Sequence, residues 1–244
     1  VNLALRRHEG DVLLVGTPIT SDLIGMNVLR PFTEREIAAL GGASAYLASR
    51  WRSGISPGRS MVWAVPWMVD IRVIYYWRDM LAQAGVEEEG AFRDYPSMRA
   101  TLEQLKSAGI QPWVVNNIRY YTLHAVASFI WEQGGDLFAP SGNKVAFHEE
   151  PALQGIRNYF SFQRGLGQAV PDVTEPFLQR QAAVTIMNAW AMTAEIPEGL
   201  GVASIPGGSY VGGIDMMIWN HSRSDSEAFQ LVSFLSQADV QWRT

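Results

Sequence analysis

The sequence predicts an α/β protein, a class in which short buried strands alternate with amphipathic helices. Short apolar runs bounded by glycine or proline recur along the 244 residues, and segments with helical spacing lie between them. Hydrophobic residues make up 48% of the chain and charged residues 18%, a globular composition with enough apolar material for one large or two modest cores. We therefore expect mostly parallel strands covered by helices.

The first part of the chain contains three β-prone runs. Asp11 to Gly16 has the apolar pattern of a buried strand, and Thr17 to Thr20 is interpreted as a loop at its carboxyl end. Met61 to Val65 and Ile71 to Trp77 are further β-rich runs, and Pro66 between them predicts a turn. The predicted helical segments of this part are the end of a helix at Val1 to His8, a helical turn at Asp22 to Met26, and helices at Glu34 to Ala39 and Asp79 to Ala84.

The same alternation continues to the end of the sequence, without an internal repeat or a low-complexity linker. Apolar, β-prone runs predict strands at Trp113 to Val115, Ala182 to Met187, Gly201 to Ile205 and Ile214 to Trp219. Helical spacing and terminal glycines or capping residues predict helices at Tyr95 to Ala108, Tyr120 to Gln133, Glu149 to Arg164 and Asp225 to Gln237.

Charge and residue types exclude several kinds of partner and chemistry. The net charge is −5 and no run is rich in Lys or Arg, so we do not expect nucleic acid as a partner. The chain has no cysteine, which excludes disulfides, thiolate metal sites and cysteine nucleophiles. The most apolar stretch, Met61 to Trp77, contains Pro66, Asp70 and Arg72 and is therefore not a membrane-spanning helix.

The sequence also lacks the common motifs of catalysis. We find no H-E-x-x-H, no G-x-S-x-G, no phosphate-binding loop, no G-x-G-x-x-G and no calcium loop. The consecutive carboxylates at Glu87 to Glu89 and at Glu149 and Glu150 do not face one another across a substrate. We therefore expect a binding protein that is not an enzyme and that uses no metal and no cofactor.

Five stretches carry a resemblance to a known family. In chain order they are GDVLLVGTPITSDLIGMNVLRPFT, VWAVPWMVDIRVIYYWRDMLAQAG, FIWEQGGDLFAPSGNKVAFHEEPALQGIRNYFSFQRGLG, QAAVTIMNAWAM, and GVASIPGGSYVGGIDMMIW followed by DSEAFQLVSFLSQADVQ. In order and spacing they resemble the family 1 extracellular solute-binding proteins of ABC importers, the group that includes maltodextrin-binding protein. Trp77 departs from the Asn that the family usually has, and Asn188-Ala189 from its usual Ile/Asn-Gly.

The resemblance implies a periplasmic-binding-protein type II fold, with two α/β lobes joined by a multi-strand hinge. Residues 1–70 and 206–244 would form lobe one, and residues 71–205 lobe two. Family members usually have a further strand and helix before the equivalent of Asp11 and further helices after that of Gln241. We therefore expect a fragment or an unusually short member.

The resemblance also implies a function. The protein would be a monomeric receptor in the periplasm or outside the cell, with a lipid anchor on a preceding segment as one option. It would bind a carbohydrate or a related polyol in the cleft between the lobes and deliver it to the permease subunits of an ABC importer. Two alternatives stay open: a carbohydrate-active enzyme domain, which needs an acid/base carboxylate pair with one strongly raised pKa, and a sugar-sensing module without a transport role.

Candidate ligand residues follow the predicted strands, because ligands of α/β sheets bind beyond the carboxyl ends of strands. Trp190 is the first candidate, and the resemblance places it where the family stacks a sugar ring; a core tryptophan is the alternative. Trp67 and Asp70 flank the predicted turn at Pro66 and offer an aromatic face and a hydroxyl acceptor. A structural cap is the alternative for Asp70.

The remaining candidates lie at strand ends, at a helix start or in glycine-rich segments: Thr17, Pro18, Trp113, Asn116, Tyr121, Gly208 and Gly212. The resemblance is what places Tyr121 at the cleft. Turn chemistry is the alternative for Asn116, a plain loop for Thr17 and Pro18, and simple turns for the two glycines.

Overall fold

The structure is a computed structural model that describes residues 10–55, 61–139, 142, 144–192 and 196–241. The helix end expected at Val1 to His8 lies outside the described residues. The chain divides into two compact units, one formed by Val1–Asp70 with Val211–Thr244 and the other by Ile71–Tyr210. Residues 206–210, which were expected in lobe one, lie in the second unit. There the Ser209 hydroxyl donates a hydrogen bond to the Arg72 carbonyl at 2.6 Å.

The described strands are β1 (Val12–Gly16), β2 (Leu29–Arg30), β3 (Ala64–Trp77), β4 (Trp113–Asn116), β5 (Gly167–Val170), β6 (Val184–Asn188), β7 (Leu200–Ala203) and β8 (Val211–Trp219). The described α-helices are α1 (Thr17–Gly25), α2 (Glu34–Ala39), α3 (Ala48–Ser53), α4 (Arg78–Gln83), α5 (Tyr95–Ser107), α6 (Arg119–Glu132), α7 (Glu150–Leu166), α8 (Thr174–Leu178), α9 (Asp225–Leu235) and α10 (Ala238–Gln241). Ala43–Ala45 and Ala189–Met192 are 3₁₀ turns.

In the first unit, β1 and β2 both run antiparallel to β8. The expectation of mostly parallel strands is therefore wrong for this unit. β8 starts at the unit boundary, where Ile214 pairs with Gly16, the last residue of β1. The two strands consequently enter the sheet from opposite ends.

In the second unit, β6, β4 and β5 lie side by side in that order and are parallel to one another. β3 pairs antiparallel with both β6 and β7. Because the three parallel strands run the same way, their carboxyl ends meet at one edge of the sheet. This edge is where a ligand site is expected.

Each unit has its own apolar core. In the first unit, a cluster that includes Trp51, Val65 and Met216 packs under α9 through Val232. In the second unit, a larger cluster that includes Ile74, Leu102, Phe129 and Val184 joins the sheet to α5, α6 and α7. Burial of these side chains is the main favourable contribution to folding of both units.

Local sequence explains where several helices begin. Thr33 and Glu36 form a capping box at α2: the Thr33 hydroxyl accepts from the Glu36 N–H, and the Glu36 carboxylate accepts from the Thr33 N–H. Asp94 caps α5 by accepting the Ser97 N–H at 2.8 Å. Its bonds to Ser97 and Arg93 lower the pKa of Asp94 to about 2.

Two local expectations are wrong. Pro66 does not make a turn but lies inside β3, because its fixed φ fits extended backbone and only one N–H donor is lost. Thr17 to Thr20 is not a loop but the start of α1, where Pro18 is favoured because the first helical N–H groups have no partner within the helix. Neither β5 nor α8 was expected from the sequence.

Candidate ligand-binding site

A solvent-open pocket with a volume of about 90 Å³ lies in the second unit, at the edge where β4, β5 and β6 end. Residues at or just beyond the carboxyl ends of all three strands contribute to it, together with Arg72 of β3 and the start of α6. Its lining is Arg72, Trp113, Val115, Asn116, Tyr121, Ala125, Tyr159, Asp172, Val173, Thr174, Ile186, Met187 and Asn188. A concave, partly apolar site with a few polar groups at this position is typical of small-molecule binding.

Arg72 and Asn188 give the pocket adjacent polar groups from two strands. They are partners in the antiparallel register of β3 and β6, so their backbones lie directly opposite each other. The Asn188 carboxamide makes no hydrogen bond to any residue that the structure describes. It can therefore donate to and accept from a ligand.

Arg72 is 7% exposed and is held by two aromatic side chains. Its Nη2 lies 3.1 Å from His124 Nδ1, and its guanidinium carbon lies 5.1 Å from the centre of the Tyr121 ring. A guanidinium only donates hydrogen bonds, so His124 Nδ1 must accept and the ring proton lies on Nε2. Burial, and secondly the charge of Arg72, lower the pKa of His124 to about 4, which keeps the imidazole neutral at pH 7.

Two buried aromatic residues form the apolar floor. Trp113 is 1% exposed and meets Tyr159 edge to face, with ring centres 5.9 Å apart. Burial raises the pKa of the Tyr159 hydroxyl to about 12. Trp113 was predicted as a ligand contact; it lines the pocket, but most of its surface packs in the core.

Asn116 closes β4 through turn chemistry. Its Nδ2 donates to the Pro171 carbonyl at 2.8 Å, and its Oδ1 accepts the Ile118 N–H at 2.8 Å. These bonds join the ends of β4 and β5 and lead the chain into α6. The alternative role in a turn therefore describes the Asn116 side chain, which also lines the pocket.

Tyr121 and Trp190 differ from Trp113 in exposure. Tyr121 is half-buried, lines the pocket and lies under the Arg72 guanidinium. Trp190 is 49% exposed in the 3₁₀ turn after β6, two residues beyond Asn188. The core alternative for Trp190 is thus wrong, and its role as a sugar-stacking residue stays a prediction.

The candidates in the first unit have mainly structural surroundings. The Thr17 hydroxyl donates to the Gly213 carbonyl at 3.0 Å and accepts from Arg50 Nη1 at 2.6 Å. Trp67 is half-buried against the core of this unit. Pro18 is exposed in the first turn of α1, and the half-buried Asp70 is the last residue of the unit before the boundary in β3.

The two predicted glycines lie in different units. Gly212 is buried in β8. The neighbouring Gly213 has φ of +145°, and the Met68 carbonyl occupies the position that a Cβ of residue 213 would need. Gly208 is exposed with φ of +114° and has open space where a Cβ would be. A turn requirement explains the conformation of Gly208.

Of the predicted candidates, the pocket thus brings together Trp113, Asn116 and Tyr121. Sequence reasoning missed the polar residues Arg72, Asp172 and Asn188. A charged residue inside the apolar run before Trp77 was the available signal for Arg72. Asp172 follows β5, a strand that the sequence did not predict, so no strand end marked it.

No helix among the described residues has the length and apolar character needed to cross a bilayer. Nor do they contain a group of three or more His, Asp or Glu side chains arranged to hold a metal ion.

The parallel strand ends, the apolar floor and the polar rim together define an α/β ligand-binding protein. Residues 10–242 match the model of the bacterial extracellular solute-binding protein family, and the chain belongs to this family. The resemblance seen in the sequence is confirmed. No curated protein matches the chain by sequence.

Solved structures share the fold at low sequence identity. The GacH receptor of Streptomyces glaucescens GLA.O, known unliganded and with acarbose, has a TM-score of 0.80 at 21% identity, over 98% of this chain and 65% of its own. An ABC transporter solute-binding protein from Thermotoga lettingae TMO, bound to α-D-tagatose, has a TM-score of 0.83 at 18% identity, over 99% of this chain and 67% of its own.

UgpB from Mycobacterium tuberculosis, in complex with glycerophosphocholine, also has a TM-score of 0.83 at 18% identity, over 98% of this chain and 65% of its own. These likenesses confirm the predicted periplasmic-binding-protein type II fold. The chain spans about two thirds of the length of these relatives.

Proposed function

We propose that this chain is the ligand-binding part of an extracytoplasmic receptor that supplies an ABC importer with a carbohydrate or a related polyol. The observation that carries the proposal is the pocket at the ends of β4, β5 and β6, with Arg72, Asn188 and Asp172 around an aromatic floor. Membership of an extracellular solute-binding family supports it. A monomer in the periplasm or outside the cell, whose two units act as lobes, is part of the same proposal.

The lining suits a polyhydroxylated ligand. Sugars are bound by planar groups that hydrogen-bond neighbouring hydroxyls and by aromatic faces that cover the C–H side of the ring. Arg72 offers donors, Asp172 offers acceptors and Asn188 offers both. Tyr121 in the pocket and the exposed Trp190 beyond β6 are the proposed aromatic faces.

Binding without chemical conversion is the second part of the proposal. Glycoside hydrolysis normally needs two carboxyl groups on opposite sides of the scissile bond. Asp172 is the one carboxylate among the described residues that line the pocket. The buried carboxyl with a raised pKa, Asp215, belongs to the first unit and is paired there with Arg50.

The test is a thermal-shift and calorimetry screen with maltose, acarbose, α-D-tagatose, glycerol and glycerophosphocholine. A compound at about 100 times its Kd should stabilise the protein by about 2.7 kcal/mol and raise Tm by about 5–10 °C. Chromatography should recover the compound unchanged.

Arg72→Gln should abolish the shift, because it removes donors from the pocket. The matched control is Arg157→Gln, which removes an arginine of the same unit that forms an exposed ion pair with Glu150. If no compound shifts Tm, or if a bound compound is converted, the proposed function is wrong.

A further inference from the structure

Arg72 needs support to keep one orientation at the pocket. Arginine side chains carry about 2 kcal/mol of rotamer entropy, and ordering one for a ligand reduces the affinity unless it is already held. Arg72 is 7% exposed and lines the pocket, and the ring of Tyr121 lies on one side of it. An aromatic face attracts the cation but does not fix the direction of its N–H groups.

His124 gives the Arg72 guanidinium a directional contact. Its Nδ1 lies 3.1 Å from Arg72 Nη2, and the side chain is 6% exposed on α6. The ring itself is fixed by stacking on Tyr210, with centres 3.8 Å apart and planes 11° from parallel. Tyr210 and Ser209 are neighbours in sequence, and Ser209 donates to the Arg72 carbonyl. The arginine is thus held at both its side chain and its backbone.

We infer that His124 is a positioning residue for ligand binding, which as a neutral Nδ1 acceptor directs the Arg72 guanidinium at the pocket. The inference rests on the proposed function. His124 is not among the described residues that line the pocket, so it acts through Arg72 rather than by touching the ligand. His124 makes a hydrogen bond to Arg72 and stacks on Tyr210, so substitutions that remove one or the other should have different effects.

The variants separate the acceptor from the stacking ring. His124→Phe keeps an aromatic ring for Tyr210 and removes the acceptor, whereas His124→Asn keeps an acceptor near Nδ1 and removes the ring. Arg72→Gln and the double variant Arg72→Gln/His124→Phe complete a mutant cycle. His148→Phe is the matched control, because His148 is exposed elsewhere in the second unit.

Calorimetry with maltose, α-D-tagatose and glycerophosphocholine gives the first readout. For each of these probes that the wild type binds, His124→Phe should weaken binding by about tenfold or more, since a hydrogen bond to a charged group is lost. His124→Asn should stay within about threefold of the wild type, and His148→Phe should be unchanged. The double variant should bind no more weakly than Arg72→Gln alone, because His124 has no other route to the ligand.

Nitrogen NMR of labelled histidine gives a second readout that needs no ligand. In the wild type at pH 7, the His124 signals should report a proton on Nε2 and a bare Nδ1, and Arg72→Gln should shift the Nδ1 signal. A proton on Nδ1 would overturn the inference even if a variant failed to fold.

The outcomes distinguish the two proposals. If the wild type binds a probe and Arg72→Gln weakens it while His124→Phe does not, the receptor function stands and the positioning role is wrong. Additive losses in the double variant would also overturn the positioning role. If the wild type binds none of the three probes, they are not its ligands and the proposed function fails for them. The NMR signals then still show whether His124 Nδ1 accepts a hydrogen bond from Arg72.

Discussion

Arg50 and Asp215 form a buried ion pair in the first unit, with Arg50 Nη2 2.6 Å from Asp215 Oδ1 and each side chain 1% exposed. The other carboxylate oxygen accepts the Thr20 hydroxyl at 2.6 Å, and Arg50 Nη1 also donates to Thr17. The network therefore joins α3 and β8 to the first turn of α1. Burial raises the pKa of Asp215, whereas Arg50 and Thr20 act in the opposite direction.

Asp215→Asn should lower the free energy of unfolding by about 3–5 kcal/mol, because it leaves the Arg50 charge buried without its counter-charge. Urea unfolding followed by circular dichroism measures the change. The control is Glu103→Gln, which removes an exposed ion pair with Arg99 and should change the free energy by less than about 1 kcal/mol. Equal unfolding midpoints for the two variants would contradict this prediction.

Gly155 and Gly165 of α7 should respond oppositely to alanine. A Cβ at Gly155 would lie 2.5 Å from Ile130 Cα, so Gly155→Ala should push α7 away from α6 and lose about 1–3 kcal/mol or more. A Cβ at Gly165 would meet open space, so Gly165→Ala should gain about 0.5–1 kcal/mol through helix propensity. Thermal unfolding measures the stability of both variants. A Gly155→Ala protein as stable as the wild type would show that α6 and α7 do not pack as closely as the structure has them.

Trp190 and Trp113 should separate ligand binding from stability. Trp190 is 49% exposed, so Trp190→Ala should leave Tm nearly unchanged while it weakens sugar binding by about tenfold through loss of a stacking face. Trp113 is 1% exposed, and Trp113→Ala should lose about 3–5 kcal/mol of stability. Calorimetry and unfolding of each variant measure the two effects. Unchanged sugar affinity in Trp190→Ala would remove Trp190 from the site.

His124 should make stability fall in mild acid. Its pKa is lowered from 6.5 to about 4 in the folded protein, so the unfolded chain binds more protons between these values. The contribution of neutral His124 is fully present above pH 6.5 and is lost as the pH falls towards 4, by up to about 1.4 kcal/mol per pH unit. Urea titrations from pH 7 to pH 4 should show a shallower loss in His124→Phe, and parallel curves would contradict the assigned pKa shift.

The sequence predicted elements well where one local signal dominated. α2 was predicted with the bounds that the structure has, and the capping box of Thr33 and Glu36 stabilises its start. β5 was missed because Gly167–Val170 is short and only partly buried, without an apolar run to mark it. Its pairing with β4 is decided by tertiary packing that no local pattern encodes.

The candidate site was predictable in position more than in chemistry. Asn116 was expected beyond a strand end and lies at the carboxyl end of β4, because the carboxyl edge of a parallel sheet follows from the order of elements. Trp113 is instead the first residue of β4; both residues line the pocket, and their contact with a ligand stays a prediction. The importance of Arg72 was not visible, since its partner His124 is 52 residues away in sequence. Sequence spacing also could not show that the Thr17 hydroxyl is bonded to Arg50 and Gly213.

The bond between Ser209 and Arg72 places the entry and the exit of the second unit side by side. In sequence, residues 71–210 are an insertion between the two segments of the first unit. Because neighbouring ends are what domain excision and circular permutation require, we expect this insertion to be separable as an autonomous module. Its own small-molecule affinity could then be measured on a chain of little more than half the present length.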